Sequence, residues 1–211
     1  MSFSRTHDEY YDHASAQRSS IAATEKGDGS MKPVASHWTL ALCPLVLVLL
    51  SSCMTAPEEK LRLAAAEGNL LRVQTFLKQG LNLQAADGRG VTPLFLAAKH
   101  GHRNVVALLL ERGAAINPMR QDGVTPIFIA AQEGQREVVA LLLKNGADAN
   151  TRAGIGEVTL LHVAAYRGDQ KLITLLLQHG ANKHVRMISG ERPVDLAQAQ
   201  GHAALIPLLE P

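Results

Sequence analysis

The sequence predicts a mainly α-helical solenoid of stacked helix-turn-helix units joined by β-hairpin-like turns. Two observations carry that prediction. The segment Asp87 to Asn117 (DGRGVTPLFLAAKHGHRNVVALLLERGAAIN) returns almost residue for residue at Arg120 to Asn150, with the Thr-Pro pairs Thr92-Pro93 and Thr125-Pro126 standing 33 residues apart (125 − 92). A fixed period of that size marks stacked supersecondary units, each too small to bury its apolar face alone. Each copy also holds two short apolar runs closed by glycine, the pattern of a helix pair.

The unit is built from its residues in order. Thr92 suits an N-cap, because its hydroxyl can accept from an orphan amide of the first turn, and Pro93 suits the first helical position, where no amide hydrogen is missed. Leu94, Leu96, Ala97 and Ala98 make a short apolar helix, and Gly101 supplies a left-handed exit. Val105, Val106, Leu108, Leu109 and Leu110 form the apolar part of a second helix that Gly113 ends. The alanines let neighbouring helices approach closely. Asn117 through Gly123 holds the turn-forming residues of a reversal into the next unit.

These residues resemble the ankyrin repeat, whose signature is Thr-Pro-Leu-His-x-Ala-Ala, Gly-His, a Val-Val-x-Leu-Leu-Leu helix and Gly-Ala. Positions 92–117 and 125–150 match closely, with Phe95 and Phe128 in place of the usual histidine. A third copy runs from Thr159-Leu160-Leu161-His162 through Gly180-Ala181 and keeps the histidine but loses the proline. Weaker copies flank these, at Leu61-Arg62-Leu63-Ala64-Ala65 with Gly68 and Gly80, and at Arg192-Pro193-Val194-Asp195-Leu196-Ala197 with Gly201-His202. Five repeats are therefore expected over 57–211, with atypical ends because each end has one face without a neighbour. The reach from Asn150 to Thr159 is one residue longer than from Asn117 to Thr125, which predicts one enlarged turn. The second helix of the first repeat is expected to keep Leu71, Val73, Phe76 and Leu77 apolar. Pro207 should shorten or kink the last helix.

The chain has 211 residues, a net charge of +2 and 4% aromatic content, a composition that favours neither wholesale disorder nor a nucleic-acid partner. Residues 1–30 are polar, without apolar period, and read as a disordered or untranslated upstream segment, with translation expected to begin at Met31. Residues 31–52 read as a signal peptide: Met31-Lys32, then the eleven-residue apolar run Leu40 to Leu50, then small residues. That run is short of the roughly 20 residues a spanning helix needs, and Pro44 interrupts it. Leu50-Ser51-Ser52-Cys53 resembles the bacterial lipobox. The resemblance implies lipidation of Cys53 and a membrane anchor followed by a very short tether, 53–56. Met54, where an aspartate would favour inner-membrane retention, implies the periplasmic face of the outer membrane. The only other cysteine, Cys43, lies inside the apolar run, so the repeats can hold no disulfide.

Candidate chemistry is sparse. Ser189 is the single serine after Cys53 and has no evident base. His100 and His102 have no third metal ligand at suitable spacing, and Gly134 separates Glu133 from Glu137. His102, His162 and His202 read as structural, the first and last at the repeat's Gly-His position. No catalytic residue, metal or cofactor is expected.

What remains is surface recognition. The resemblance implies that a protein partner meets the turn tips and first-helix ends: Arg89, Val91, Lys99 and His100; Arg120, Gln121, Val124, Gln132 and Glu133; Ile155, Tyr166 and Arg167; Arg186, Met187 and Ile188. Tyr166 is expected to be an exposed aromatic anchor, and Arg89, Arg120, Arg152 and Arg186 a loose row along one edge suited to an anionic partner surface or to lipid headgroups. The expected function is a membrane-anchored, monomeric, non-catalytic interaction scaffold in the bacterial cell envelope. An intracellular signalling or effector module is the alternative, and an enzyme accessory a more distant one.

Overall fold

Thr92 and Thr125 show how each repeat begins. Their hydroxyls accept from the amides of Phe95 (3.2 Å) and Phe128 (3.4 Å), and a proline takes the first helical position after each. The computed structural model describes residues 56–210. The segment 1–30, the signal-peptide run and Cys53 lie outside the described residues.

Five helix pairs follow one another. They are α1 (Pro57–Ala66) with α2 (Leu70–Lys78), α3 (Pro93–Lys99) with α4 (Arg103–Glu111), and α5 (Pro126–Gln132) with α6 (Arg136–Lys144). Then come α7 (Leu160–Tyr166) with α8 (Gln170–Gln178), and α9 (Pro193–Ala199) with a 3-10 turn (Ala203–Leu205) running into α10 (Ile206–Leu209). The first helices pack side by side in chain order, α1 on α3, α3 on α5, α5 on α7 and α7 on α9, with each partner helix stacked behind. The helices are short because all but the last are closed by glycine in the left-handed region, Gly101 and Gly113 at φ +75° and +85° in the second repeat.

The core is one continuous layer along the stack. Ala64-Ala65, Ala97-Ala98, Ala130-Ala131 and Ala164-Ala165 are all buried between first helices, where a side chain larger than methyl would hold the backbones apart. Leucine, isoleucine and valine of both helix rows fill the rest, each fully buried aliphatic side chain contributing about 1.5–3 kcal/mol. Leu71 does not join them. It is exposed on the back of α2, where later repeats carry Asn104, Glu137 and Lys171, because the second-helix row buries its neighbour Val73 instead.

The enlarged turn forms the one antiparallel strand pair among the described residues, β1 (Arg152–Ala153) with β2 (Val158–Thr159). Its longer loop puts Glu157 at φ +52°, two residues before the N-cap, where Gly90, Gly123 and Gly190 stand in the other turns. A non-glycine left-handed residue is uncommon; here the Arg152 guanidinium pairs with the Glu157 carboxylate across the turn. Pro207 splits the last helix as expected. The 3-10 turn precedes it, and α10 restarts with proline in its first turn.

Candidate functional site

Two edges of the stack present the candidate residues. The first is formed by the turns that lead into each first helix. Successive turns are joined by backbone hydrogen bonds, each 3.0 Å: Gln121 N–H to Arg89 O, Gly154 N–H to Asp122 O, and Ile188 N–H to Gly156 O. The turn edge is thus a ladder, each rung supplied by a neighbouring repeat. A second kind of link occurs twice, two repeats apart. The Gln84 side chain donates to Gly113 O and accepts from Ala115 N–H, and Asn150 does the same to Gly180 O and from Asn182 N–H.

The arginines expected as a basic row do lie on these turns, but each is engaged within its own. Arg89 approaches Asp87 at 3.7 Å, Arg120 pairs with Asp122, Arg152 with Glu157, and Arg186 donates to Gly190 O at 2.6 Å. Arg120 does more than that. Its guanidinium lies over the Phe95 ring of the preceding repeat, 5.3 Å from the centroid, and it is only half-exposed. The paired guanidinium holds the Asp122 carboxyl below its ordinary value. Gln121, also exposed, donates to Gly88 O at 2.8 Å. Val91 and Val124, expected at the tips, are instead buried: they turn inward to seal the core beneath the turn. Met187 is half-buried against the core, whereas Ile155 and Ile188 stand in solvent.

The opposite edge is formed by the ends of the first helices. His100, Glu133 and Arg167 are exposed there, and Lys99, Gln132 and Tyr166 are half-buried beside them, at equivalent positions of α3, α5 and α7. Tyr166 departs from the expectation of an exposed anchor. It packs against the core, and its carbonyl accepts from His202 at 3.1 Å. Arg167 donates to Gln132 O of the preceding repeat at 2.7 Å.

That bond belongs to a series. His102 bonds Ala66 O (2.8 Å) and lies over Gly68, and His202 lies over Gly168. Gln135 lies over Gly101, and Arg167 over Gly134. A methyl added to Gly68 would stand 2.4 Å from the His102 ring, so that glycine is required for space as well as for its φ of +71°. The sequence pointed to the two histidines; Gln135 shares their place one residue after a glycine, a positional signal that residue chemistry concealed, whereas Arg167 stands one residue before Gly168 and reaches the equivalent site from there.

His162 is the third histidine connector. It is wholly buried, with Nδ1 accepting from Thr159 N–H (3.2 Å) and within 2.8 Å of the Thr159 hydroxyl. Since Nδ1 accepts, Nε2 carries the proton and donates to Glu191 O of the next repeat at 3.1 Å. Burial pushes the imidazole pKa down, against the opposing pull of that carbonyl. Asp169 caps α8 by accepting from Leu172 N–H and pairs with Arg136 of the preceding repeat at 2.6 Å.

Among the described residues, no group of three or more His, Cys, Asp or Glu is placed to hold a metal ion, and no helix is long and apolar enough to cross a membrane. The His102 and His162 rings are occupied by neighbouring carbonyls. The polar groups of this site join repeats or face solvent; they are suited to recognition by shape.

No curated protein matches the chain significantly. Family models do. One describing ankyrin repeats in three copies matches residues 61–153, and one describing a single ankyrin repeat matches residues 157–188. Those matches cover the first four helix pairs described above, with the fifth continuing the same stack, and together they span more than half of the sequence. The chain belongs to the ankyrin-repeat proteins.

Proposed function

We propose that this protein is a lipid-anchored scaffold of the bacterial cell envelope that binds a protein partner and performs no reaction on it. The observation that supports binding is the regular presentation of Lys99-His100, Gln132-Glu133 and Tyr166-Arg167 at equivalent ends of three adjacent helices braced to one another. A surface held by its own inter-repeat bonds loses little conformational freedom on association, which favours affinity. Ankyrin repeats are protein-interaction modules, and the partner surface assigned here comprises Lys99, His100, Gln132 and Glu133 on the helix ends, with Arg89, Gln121 and Arg186 on the turns. Arg120, Tyr166 and Arg167 contribute to it while also holding repeats together.

The anchoring half of the reading rests on sequence: an apolar run followed by Leu50-Ser51-Ser52-Cys53, with Met54 favouring the periplasmic face of the outer membrane. Acyl chains on Cys53 would each add about 0.8 kcal/mol of membrane affinity per buried methylene, and two or more chains anchor stably. Replacing Cys53 with alanine should abolish metabolic acyl labelling and release the protein from the membrane fraction. A wild-type chain that is unlabelled and soluble would favour the intracellular interaction module.

A further inference from the structure

Three of the large apolar side chains left open to solvent stand on consecutive turns: Met119 at 64% exposure, Ile155 at 96% and Ile188 at 70%. Single exposed apolar residues are ordinary. Here, however, the turns that carry them are locked in line by the Gly154-to-Asp122 and Ile188-to-Gly156 backbone bonds. Ile188 supplies the amide of one shared rung, and Ile155 lies between Gly154 and Gly156, which each take part in one.

The direction in which these tips project is fixed by the helices. Each turn leads directly into the N-cap of a first helix, at Thr125, Thr159 and Arg192. Ala56 is the corresponding N-cap of α1, and α1 lies beside α3 as α3 lies beside α5. The chain therefore leaves the stack toward Cys53 on the edge that carries the tips. Cys53 is three residues from Ala56, a reach of about 10 Å at full extension. An anchor of that reach would hold the turn edge against the surface that carries it.

We infer that the turn edge is a membrane-contacting edge, with Ile155 and Ile188, and Met119 beside them, seated at the boundary of headgroups and acyl chains. The inference rests on the lipid-anchor reading above. Three of the four turn arginines, Arg89, Arg120 and Arg152, are each answered by a carboxylate of the same turn, while Arg186 binds the Gly190 carbonyl, so the edge offers little net charge to an anionic bilayer. Contact comes from apolar insertion and needs no anionic lipid. The stack then lies along the surface, leaving the opposite edge, with His100 and Glu133, open to a protein partner.

The test uses the processed, acylated chain beginning at Cys53, which holds no tryptophan, reconstituted in phosphatidylcholine vesicles with and without chain-brominated lipid. An indole is introduced at one position at a time, by Ile155→Trp, Ile188→Trp or Glu133→Trp. Emission from the first two should shift to the blue on reconstitution and be quenched by brominated lipid, while Glu133→Trp does neither. Vesicle-bound protein with unshifted, unquenched emission at both 155 and 188 overturns the edge contact and leaves the tether standing. Protein that neither takes an acyl label nor associates with vesicles overturns tether and inference together. A blue shift at 155 and 188 before lipid is added shows the tips covered by protein, and a shift that requires anionic lipid shows attraction by charge; either result overturns the inference.

Discussion

At the residue scale, His162 is the group whose chemistry most constrains the stack. In the folded chain its pKa is held below the usual 6.5 by burial. Above pH 6.5 folded and unfolded forms are both neutral, and the group adds no pH dependence. As the pH falls below that value the unfolded chain takes up a proton that the folded chain refuses, so stability drops until the folded pKa is reached. Protonation would also remove the Nδ1 acceptor on which Thr159 N–H depends. Thermal midpoints measured from pH 7.5 down to 5 should therefore fall more steeply for the wild type than for His162→Phe, a substitution with precedents at Phe95 and Phe128. Parallel slopes would refute the assignment. Arg167 illustrates a different lesson, since its exposure suggested a free contact residue. It bonds Gln132 O across a repeat boundary, so Arg167→Ala should cost about 0.5–1.5 kcal/mol of stability, read by denaturant titration, in addition to any loss of partner binding.

At the element scale, the spacing between first helices is set by paired alanines. Ala98 is wholly buried where α3 meets its neighbours. Ala98→Leu inserts a branched side chain into a contact with no spare volume and should cost about 1–3 kcal/mol, seen as a lowered melting midpoint. An unchanged midpoint would mean the helices can part without loss. The helices themselves were legible in the sequence because threonine caps, first-turn prolines and exit glycines act locally, within one turn of the backbone. Burial on the turns was less legible. Val91 and Val124 precede the N-cap and looked like tips, but they point inward, while Ile155, two residues after buried Ala153 in the longer turn, points out. The side of a tight turn on which a residue falls depends on loop length and register, which repeat alignment blurs wherever one residue is inserted. The second role of Arg120 was hidden for a related reason. Its partner, Phe95, lies 25 positions earlier in sequence, and only stacking brings the guanidinium over the ring.

At the scale of the whole molecule, stability in a stack is the sum of what each repeat contributes and what each boundary contributes, so the two ends are weakest. Among the described residues the fifth repeat packs on the fourth alone, and its second helix is divided at Pro207 into a 3-10 turn and a single turn of α-helix. The first repeat leaves Leu63 and Leu71 in solvent. Between them the second, third and fourth repeats have covered faces on both sides and share the Arg136–Asp169, Arg120–Phe95 and Arg167–Gln132 links. Native-state hydrogen exchange should therefore follow a gradient. Amides of 203–209 should exchange first through local opening, those of α1 and α2 next, and those of α5 and α6 last, through the largest unfolding events. The fraying end should respond to substitution on its own. Pro207→Ala restores an amide donor and removes the ring that divides the helix, so it should slow exchange at 203–209 while leaving α5 unchanged. Equal protection across all five repeats would show that the boundaries couple too strongly for the ends to open separately, and the stack would then unfold as one body.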